Sequence, residues 1–352
     1  MKKFLSILLA VLMVVSLFAL ASCGNTDGDT KDTSNDTQNN DGADKIETLK
    51  MGLGVYSVYG DATSADGDMN GSASVATTAA AILIDKNDKI VKCVFDTVDA
   101  SVGYSSTGAV VISDEYKTKG ELGTAYGMVA YAGAKLEWFE QVDALCNTFE
   151  GKTLDEVKAM IVDGYKGNDE VIAAGCTIGI ADFIYAIEKA FANVVETNAI
   201  KDDVLSLSFV TKQEKAADAT EEKDGSCEVV ANICAVATQN GKVVAAKSDC
   251  AVAKFTFNTA GEFTADTTAE IKTKRELGAA YGMSSYGADL NGDGVVKEWF
   301  EQADALDAAL VGKTADEISA LVVDGYGTAD LQTAGCTIAI SDMIATAVKA
   351  AK

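Results

Sequence analysis

The chain has 352 residues, with 53 acidic against 29 basic side chains and a formal net charge of −24. A surface of this sign disfavours nucleic acid and anionic headgroups as partners, because their phosphates are also negative. There is no histidine, which excludes histidine bases, histidine metal ligands and every Ser-His-Asp or Cys-His arrangement.

The first residues have the pattern of an export signal. Two lysines precede an apolar run over residues 4–20, which is too short and wrongly flanked for a membrane span. The run ends in LASC at 20–23, which resembles the lipobox of bacterial lipoproteins. The resemblance implies removal of residues 1–22, a diacylglycerol on Cys23, and a mature chain held outside the cytoplasmic membrane. The alternative is an ordinary secretory signal followed by a chance cysteine.

The segment after Cys23 is polar. Residues 24–45 contain no apolar side chain except Ala43 and consist mostly of Asp, Asn, Thr, Ser and Gly. Such a segment buries too little apolar surface to offset chain entropy, so residues 23–45 are predicted to be a disordered tether. A random coil of roughly 22 residues spans about 25 Å.

The remainder is a tandem duplication. KTKGELGTAYGM at 117–128 recurs as KTKRELGAAYGM at 272–283, and the blocks EWFEQ, GKT, VDGY and AGCTI follow in the same order in both copies. A repeat of about 150 residues has a normal domain size. The sequence therefore predicts two copies of one domain, at 46–197 and 204–352.

Each copy shows strand patterns first and helix patterns afterwards. Alternating apolar residues at 49–55 predict a first strand, and turn residues at 86–88 and 240–241 predict the next hairpin of each copy. In the first copy, apolar helical stripes that begin near residues 138 and 180 predict two helices, and a capping box at 153–156 predicts a short helix between them. Two tandem copies of an antiparallel β-meander followed by helices, without βαβ alternation, indicate an α+β fold.

Several side chains recur in both copies outside these patterns. Lysines in an acidic chain are candidates to meet a phosphate as point charges, with surface salt bridges as the alternative. Repeated aromatics are candidates to contact a ligand ring, with core packing as the alternative. The lysines are Lys117, Lys119, Lys272 and Lys274, and the aromatics are Tyr126/Tyr281, Trp138/Trp299 and Tyr165/Tyr326.

The small-residue turn AGCTI stands before the last helical stripe of each copy, at 174–178 and 334–338. Free backbone N–H groups at a helix N-terminus favour an anion such as phosphate. The alternative is a tight packing turn.

This turn and the order of elements resemble the FMN-binding domain of respiratory electron-transfer subunits, related copies of which occur in tandem on extracellular lipoproteins. The family turn reads S-G-A-T-x-[ST], and its threonine carries flavin as a phosphodiester installed by a transferase. The residues that match G-A-T, with one substitution, are Gly175-Cys176-Thr177 and Gly335-Cys336-Thr337. The residues that depart from the family serine and final Ser/Thr are Ala174, Ala334, Gly179 and Ala339. The resemblance implies FMN as cofactor, the six matching residues as its binding site, and a flavin transferase and a redox partner.

Cysteine usage does not follow the duplication. Seven cysteines remain after Cys23, and only Cys176 and Cys336 match between the copies. A disulfide framework would repeat within each domain, so mostly reduced cysteines are expected. A disulfide bond between Cys227 and Cys234 is the alternative.

An acidic loop in the second copy begins like a calcium site. Residues 289–296 read DLNGDGVV and match the first eight positions of a calcium loop, with Asp289, Asn291 and Asp293 as candidate ligands. Position 12, which should supply a bidentate carboxylate, is Phe300. The alternative is a polar loop before the next helix; any bound Ca²⁺ would be structural.

These patterns and the two resemblances together predict a lipid-anchored extracytoplasmic protein that is not an enzyme and carries electrons on flavin. The alternative is a flavin-free cell-surface binding or spacer module that kept the fold and lost the site. A hydrolase is disfavoured, because no carboxylate pair or Ser/Lys arrangement recurs at a suitable spacing.

Overall fold

The computed structural model describes residues 47–113, 115–286 and 296–352. Residues 46–352 form one compact unit that contains both copies. The predicted signal peptide, the tether with Cys23, and the calcium-motif residues Asp289, Asn291 and Asp293 lie outside the described residues. In the part that is described, no helix is long and apolar enough to cross a membrane.

The first copy is an antiparallel sheet followed by short helices. Its strands are β1 (Lys50–Thr63), β2 (Gly71–Ile84), β3 (Ile90–Tyr104), β4 (Val110–Val111) and β7 (Val195–Glu196), in the order β4-β3-β2-β1-β7. Its helices are α1 (Lys119–Leu122), α2 (Met128–Ala132), α3 (Trp138–Phe149), α4 (Leu154–Lys158), α5 (Asp169–Ala174) and α6 (Ala181–Ala192). A small hairpin of β5 (Ile161–Val162) and β6 (Lys166–Gly167) separates α4 from α5.

The second copy repeats this order. Its sheet contains β8 (Val204–Ala217), β9 (Gly225–Gln239) and β10 (Lys242–Phe257), in the order β10-β9-β8. Its helices are α7 (Lys274–Leu277), α8 (Met283–Tyr286), α9 (Trp299–Leu310), α10 (Ala315–Ser319), α11 (Ala329–Thr333) and α12 (Ser341–Ala350). The small hairpin is β11 (Val322–Val323) with β12 (Tyr326–Gly327).

The two sheets pack face to face, and the helices of each copy cover the outer face of their own sheet. Alternate residues of a strand point to opposite faces. Leu53 and Leu83 therefore pack against Phe209 and Ile233 between the sheets. Ile82, which neighbours Leu83, instead contributes to the core beneath the helices of the first copy. The result is a helix–sheet–sheet–helix arrangement of four layers.

Glycine permits the close contact between α6 and β1. A Cβ atom on Gly54 would lie 2.0 Å from the carbonyl oxygen of Ala186, and one on Gly52 would lie 2.3 Å from that of Ala190. The backbone of the helix therefore rests directly on the strand, an approach that any larger side chain would prevent.

Equivalent residues of the two copies meet across the contact between the sheets. The rings of Tyr104 and Phe257, the last residues of β3 and β10, stack with centroids 4.7 Å apart and an interplanar angle of 3°. The segments that precede α1 and α7 also pair with the first strand of the other copy. These reciprocal bridges are Tyr116 to Thr211 and Ile271 to Ser57. The copies thus exchange equivalent contacts, as two subunits of a symmetric dimer do.

Ion pairs follow the same reciprocal rule. Lys189 of α6 pairs with Glu276 of the second copy, and Lys349 of α12 pairs with Glu121 of the first. Both glutamates also close the capping boxes of the short helices α7 and α1. The terminal helix of one copy therefore contacts a cap in the other.

The predicted α+β class, with antiparallel sheets followed by helices, is confirmed. The predicted turn at Asn240 and Gly241 joins β9 to β10, with φ of 51° and 74°. The open alternative of a Cys227–Cys234 bridge is excluded. Both cysteines are free and buried, and they lie seven residues apart on β9, which places them on opposite faces of the sheet.

Candidate functional site

A buried glutamine holds the AGCTI turn of each copy. In the first copy, Gln141 Oε1 accepts hydrogen bonds from Thr177 N at 2.8 Å and from Thr177 Oγ1 at 3.0 Å. Gln302 Oε1 accepts from Thr337 N and Oγ1 at the same two distances. The direction of the threonine hydroxyl is therefore fixed in the same way twice.

The amide group of each glutamine is itself held in place. Gln141 Nε2 donates to the carbonyl of Leu136 at 3.1 Å, and Gln302 Nε2 donates to that of Lys297 at 3.0 Å. Sequence reasoning missed both glutamines, although each lies three residues after the repeated tryptophan, on the buried face of its helix. A polar residue repeated on a buried face was the available signal, since buried amides need hydrogen-bond partners.

The other residues of the turn support the threonine rather than extend the site. Gly175 and Gly335 have φ of 114° and 106°, in the region that favours glycine. Cys176 and Cys336 are fully buried, and burial raises the pKa of each thiol to about 11. Both cysteines are therefore neutral core residues. Thr177 is exposed.

The backbone N–H groups of the turn are already bonded inside the protein. Gly175 N donates to Ile172, Cys176 N donates to Val171, and the second copy repeats both bonds. Helix α6 begins at Ala181, four residues after Thr177. The turn therefore presents a threonine hydroxyl and not the row of free N–H groups that its sequence suggested for an anion.

The surface beside the two turns differs in charge. A depression of about 670 Å³ that borders Ala174 is lined by acidic side chains, including Glu140, Asp143 and Glu170. At the second turn, Lys297 Nζ lies 3.3 Å from the carbonyl oxygen of Ala334. The acidic side chains disfavour an anion free in solution at the first turn.

A lysine lies over two aromatic rings in each copy. Lys119 Nζ is 5.3 Å from the ring centroid of Tyr126 and 5.9 Å from that of Trp138. In the second copy Lys274 Nζ is 5.5 Å from the Tyr281 centroid and 5.3 Å from the Trp299 centroid. These are cation–π distances. Both tryptophans are buried core residues, whereas Tyr165 and Tyr326 are exposed on the small hairpins.

The position of each lysine is set by the cap of its helix. Thr118 and Glu121 form a reciprocal capping box around Lys119, and Thr273 and Glu276 form one around Lys274. The T-x-x-E pattern at both places is the sequence signal for α1 and α7, and it was overlooked. Lys117 and Lys272 lie just outside the caps and are exposed.

A strand carboxylate also binds the start of each helix. Asp96 Oδ1 accepts from Gly120 N at 3.0 Å, and Asp249 Oδ1 accepts from Arg275 N at 3.3 Å. Burial raises the pKa of Asp249 to about 6, although hydrogen bonds from Thr273 and the Cys250 N–H oppose the shift. The short helix that carries each lysine is therefore anchored at both its cap and its sheet.

The second copy buries an ionic network. Arg275, the only arginine in the chain, donates to Asp304 at 2.6 Å and to Asp307 at 2.7 Å. Asp307 also accepts from the hydroxyl of Ser248 at 2.6 Å and from its N–H at 3.0 Å. Burial raises the pKa of Asp307, and the guanidinium of Arg275 opposes that shift. The equivalent residues of the first copy are Gly120, Asp143, Cys146 and Phe95.

Comparison with known proteins gives little further guidance. No protein-family model matches the chain, and the search of solved structures gave no match. The chain is similar to a protein named chlorophenol reductase from Desulfitobacterium hafniense, with 33% identity over 129 residues. The match covers 33% of this chain and 38% of that protein, so the chain spans well under half of its relative's length.

Proposed function

We propose that this chain is a lipid-anchored, extracytoplasmic electron carrier that holds flavin on Thr177 and Thr337. The observation that carries the proposal is the Thr–Gln arrangement, which occurs in both copies with the same bond lengths. A buried amide that orients a threonine hydroxyl, exposed at Thr177 and half-buried at Thr337, suits a residue used for attachment. The similarity to a protein named a reductase supports a redox role.

Attachment changes few contacts of the chain. Thr177 Oγ1 forms the bond to phosphorus, the leaving group of the phosphoryl donor departs, and the hydroxyl proton is lost. Oγ1 then no longer donates to Gln141, but Thr177 N keeps its 2.8 Å bond and the turn stays fixed. Bound flavin supplies the one- and two-electron chemistry, while the protein supplies attachment and orientation.

Loss of the two threonine hydroxyls tests the attachment. Full-length chain coexpressed with a flavin transferase is expected to be yellow after denaturation and to carry two FMN groups by intact mass. Thr177→Val and Thr337→Val should each remove one group, and the double variant both, because valine keeps the shape but has no oxygen nucleophile. Thr333→Val, whose hydroxyl bonds only within its helix, is the control and should keep two groups.

The geometry of the turn also favours the flavin-free surface module as a second candidate. The N–H groups of the turn are satisfied internally, and Ala174 and Ala334 replace the serine of the resembling family. A colourless chain of unmodified mass after coexpression, with no response to added FMN, would eliminate the carrier and leave this module.

The lipid anchor is tested through Cys23. In a bacterium fed an alkynyl fatty acid, the full chain is expected to take up label and sediment with membranes, because a modified Cys23 carries acyl chains. Cys23→Ala should lose both the label and the membrane association. Cys93→Ala is the matched control, since alanine already occupies the equivalent position, Ala246, in the second copy. Label retained in Cys23→Ala would contradict the anchor.

A further inference from the structure

The second copy contains a lysine-lined cavity of about 300 Å³. Its charged lining comprises four lysines against two glutamates, a local excess of positive charge in a chain whose net charge is −24. The lysines are Lys215, Lys254, Lys272 and Lys274, and the glutamates are Glu214 and Glu228. A positive cavity on an acidic protein concentrates field lines and attracts anions selectively.

The first copy lacks this charge because of three substitutions on its strands. Residues 61, 99 and 101 are Asp, Asp and Ser, where the second copy has Lys215, Val252 and Lys254. Ile90 and Val243 align positions 99 and 101, because each bonds in the same way to its Gly-Lys turn, at 151–152 and 312–313. Ser57 and Thr211 align position 61, because they form the equivalent bridges to the other copy. The basic character of the cavity is therefore specific to the second copy.

The two copies differ most in the surroundings of Lys274. Its counterpart Lys119 has the carboxylate of Asp99 at 3.0 Å, and that position is Val252 in the second copy. Among the described residues no carboxylate lies within 4 Å of Lys274 Nζ, which is half-buried beside Tyr281 and Trp299. A half-buried ammonium without a counter-charge is costly, and a bound anion removes that cost.

The other lysines of the cavity are partly neutralised. Glu228 lies 2.9 Å from Lys215 and 3.7 Å from Lys254. Lys272 has Glu270 at 3.9 Å. Lys274 thus supplies the primary contact for an anion, and Lys272, which is exposed and only loosely paired, supplies the second.

We propose that this cavity binds a phosphate monoester with a small apolar group. Lysine ammonium groups bind phosphate as point charges, and two of them match a dianion better than a monoanion. Val230, Val252 and Leu277 give the cavity an apolar wall that bare phosphate leaves uncovered. The volume suits a small ligand, since ligand sites begin near about 300 Å³. The site is separate from Thr337 and does not depend on flavin.

Val252→Asp tests the site by giving Lys274 the partner that Lys119 already has. Titration calorimetry of the full chain with phenyl phosphate is expected to show one site in the wild type, and at least tenfold weaker binding in Val252→Asp. Folding is preserved because the first copy accommodates Asp99 in this position, and the melting temperature checks it. Val162→Asp is the matched control, the same substitution at an exposed site in the first copy, and should bind like the wild type.

Two further ligands decide the chemistry. Inorganic phosphate should bind more weakly than phenyl phosphate, since it leaves the apolar wall uncovered, and benzoate should bind more weakly because it carries one charge. Benzoate that binds as tightly as phenyl phosphate would overturn the phosphate assignment. No heat from phenyl phosphate in the wild type, or equal binding in Val252→Asp, would overturn the site.

Discussion

Replacing Arg275 by methionine is expected to lower the free energy of unfolding by about 3–5 kcal/mol, the range for breaking a buried ion pair. The substitution leaves the carboxylate of Asp307 buried, with only Ser248 to donate to it. It also removes the guanidinium contact with Asp304, which is more exposed and contributes less. Urea denaturation at neutral pH measures the loss.

A second variant separates the buried charge from the lost packing. Replacing Asp307 by leucine together with Arg275→Met removes both charges, and should recover more than half of the lost free energy, since an apolar pair often replaces a buried ion pair without cost. The first copy, with Cys146 in place of Asp307, already packs without charge here. A loss below about 1 kcal/mol in Arg275→Met would mean that Asp307 is solvated or protonated and that the network contributes little.

Phe257→Ala is expected to lower the free energy of unfolding by about 3–5 kcal/mol, because it opens a cavity between the two sheets. Phe257 is fully buried and stacks on Tyr104 of the first copy. Phe257→Tyr is the control and should destabilise much less than Phe257→Ala, because the ring and its stacking on Tyr104 are kept. Tyr104 occupies the equivalent position in the first copy, where its hydroxyl donates to the carbonyl of Thr63 at 2.8 Å.

Because Phe257 lies between the two copies, we also expect them to unfold cooperatively. Each copy has one tryptophan, so Trp138→Phe and Trp299→Phe backgrounds report separately on the second and first copies. Because the copies share a core, both fluorescence transitions should coincide and should shift together in Phe257→Ala. A shift of the Trp299 signal alone would show that the copies unfold independently.

Local patterns predicted the elements well where periodicity was long. The apolar face from Trp138 to Phe149 gave helix α3 with both of its ends, and Asn240-Gly241 gave the hairpin turn. The short helices α1 and α7 were not predicted, because a helix of four residues is too short to show periodicity. In the sequence, α1 is indicated only by its capping box at Thr118 and Glu121.

Contacts between distant residues could not be predicted in the same way. The turn at Thr177 was located, but the residue that holds it, Gln141, lies 36 positions earlier in the chain. The basic cavity draws its charged residues from three strands, the segment before α7 and the first residue of α7, so no window of sequence contains it. One sequence pattern does indicate the face-to-face packing of the sheets. Residues 79–84 of β2 read AAAILI, and a strand that is apolar on both faces needs cover on each side.

The reciprocal contacts between the copies have a consequence for the history of the protein. Because equivalent residues meet across one contact, a single ancestral copy could have formed the same interface as a homodimer, and gene duplication then fused its two subunits. Fusion frees each half from keeping identical surfaces. The differences between Asp99 and Val252 and between Gly120 and Arg275 illustrate such specialisation. A separated copy would expose the apolar inner face of its sheet and would be expected to associate again, with itself or with its sister.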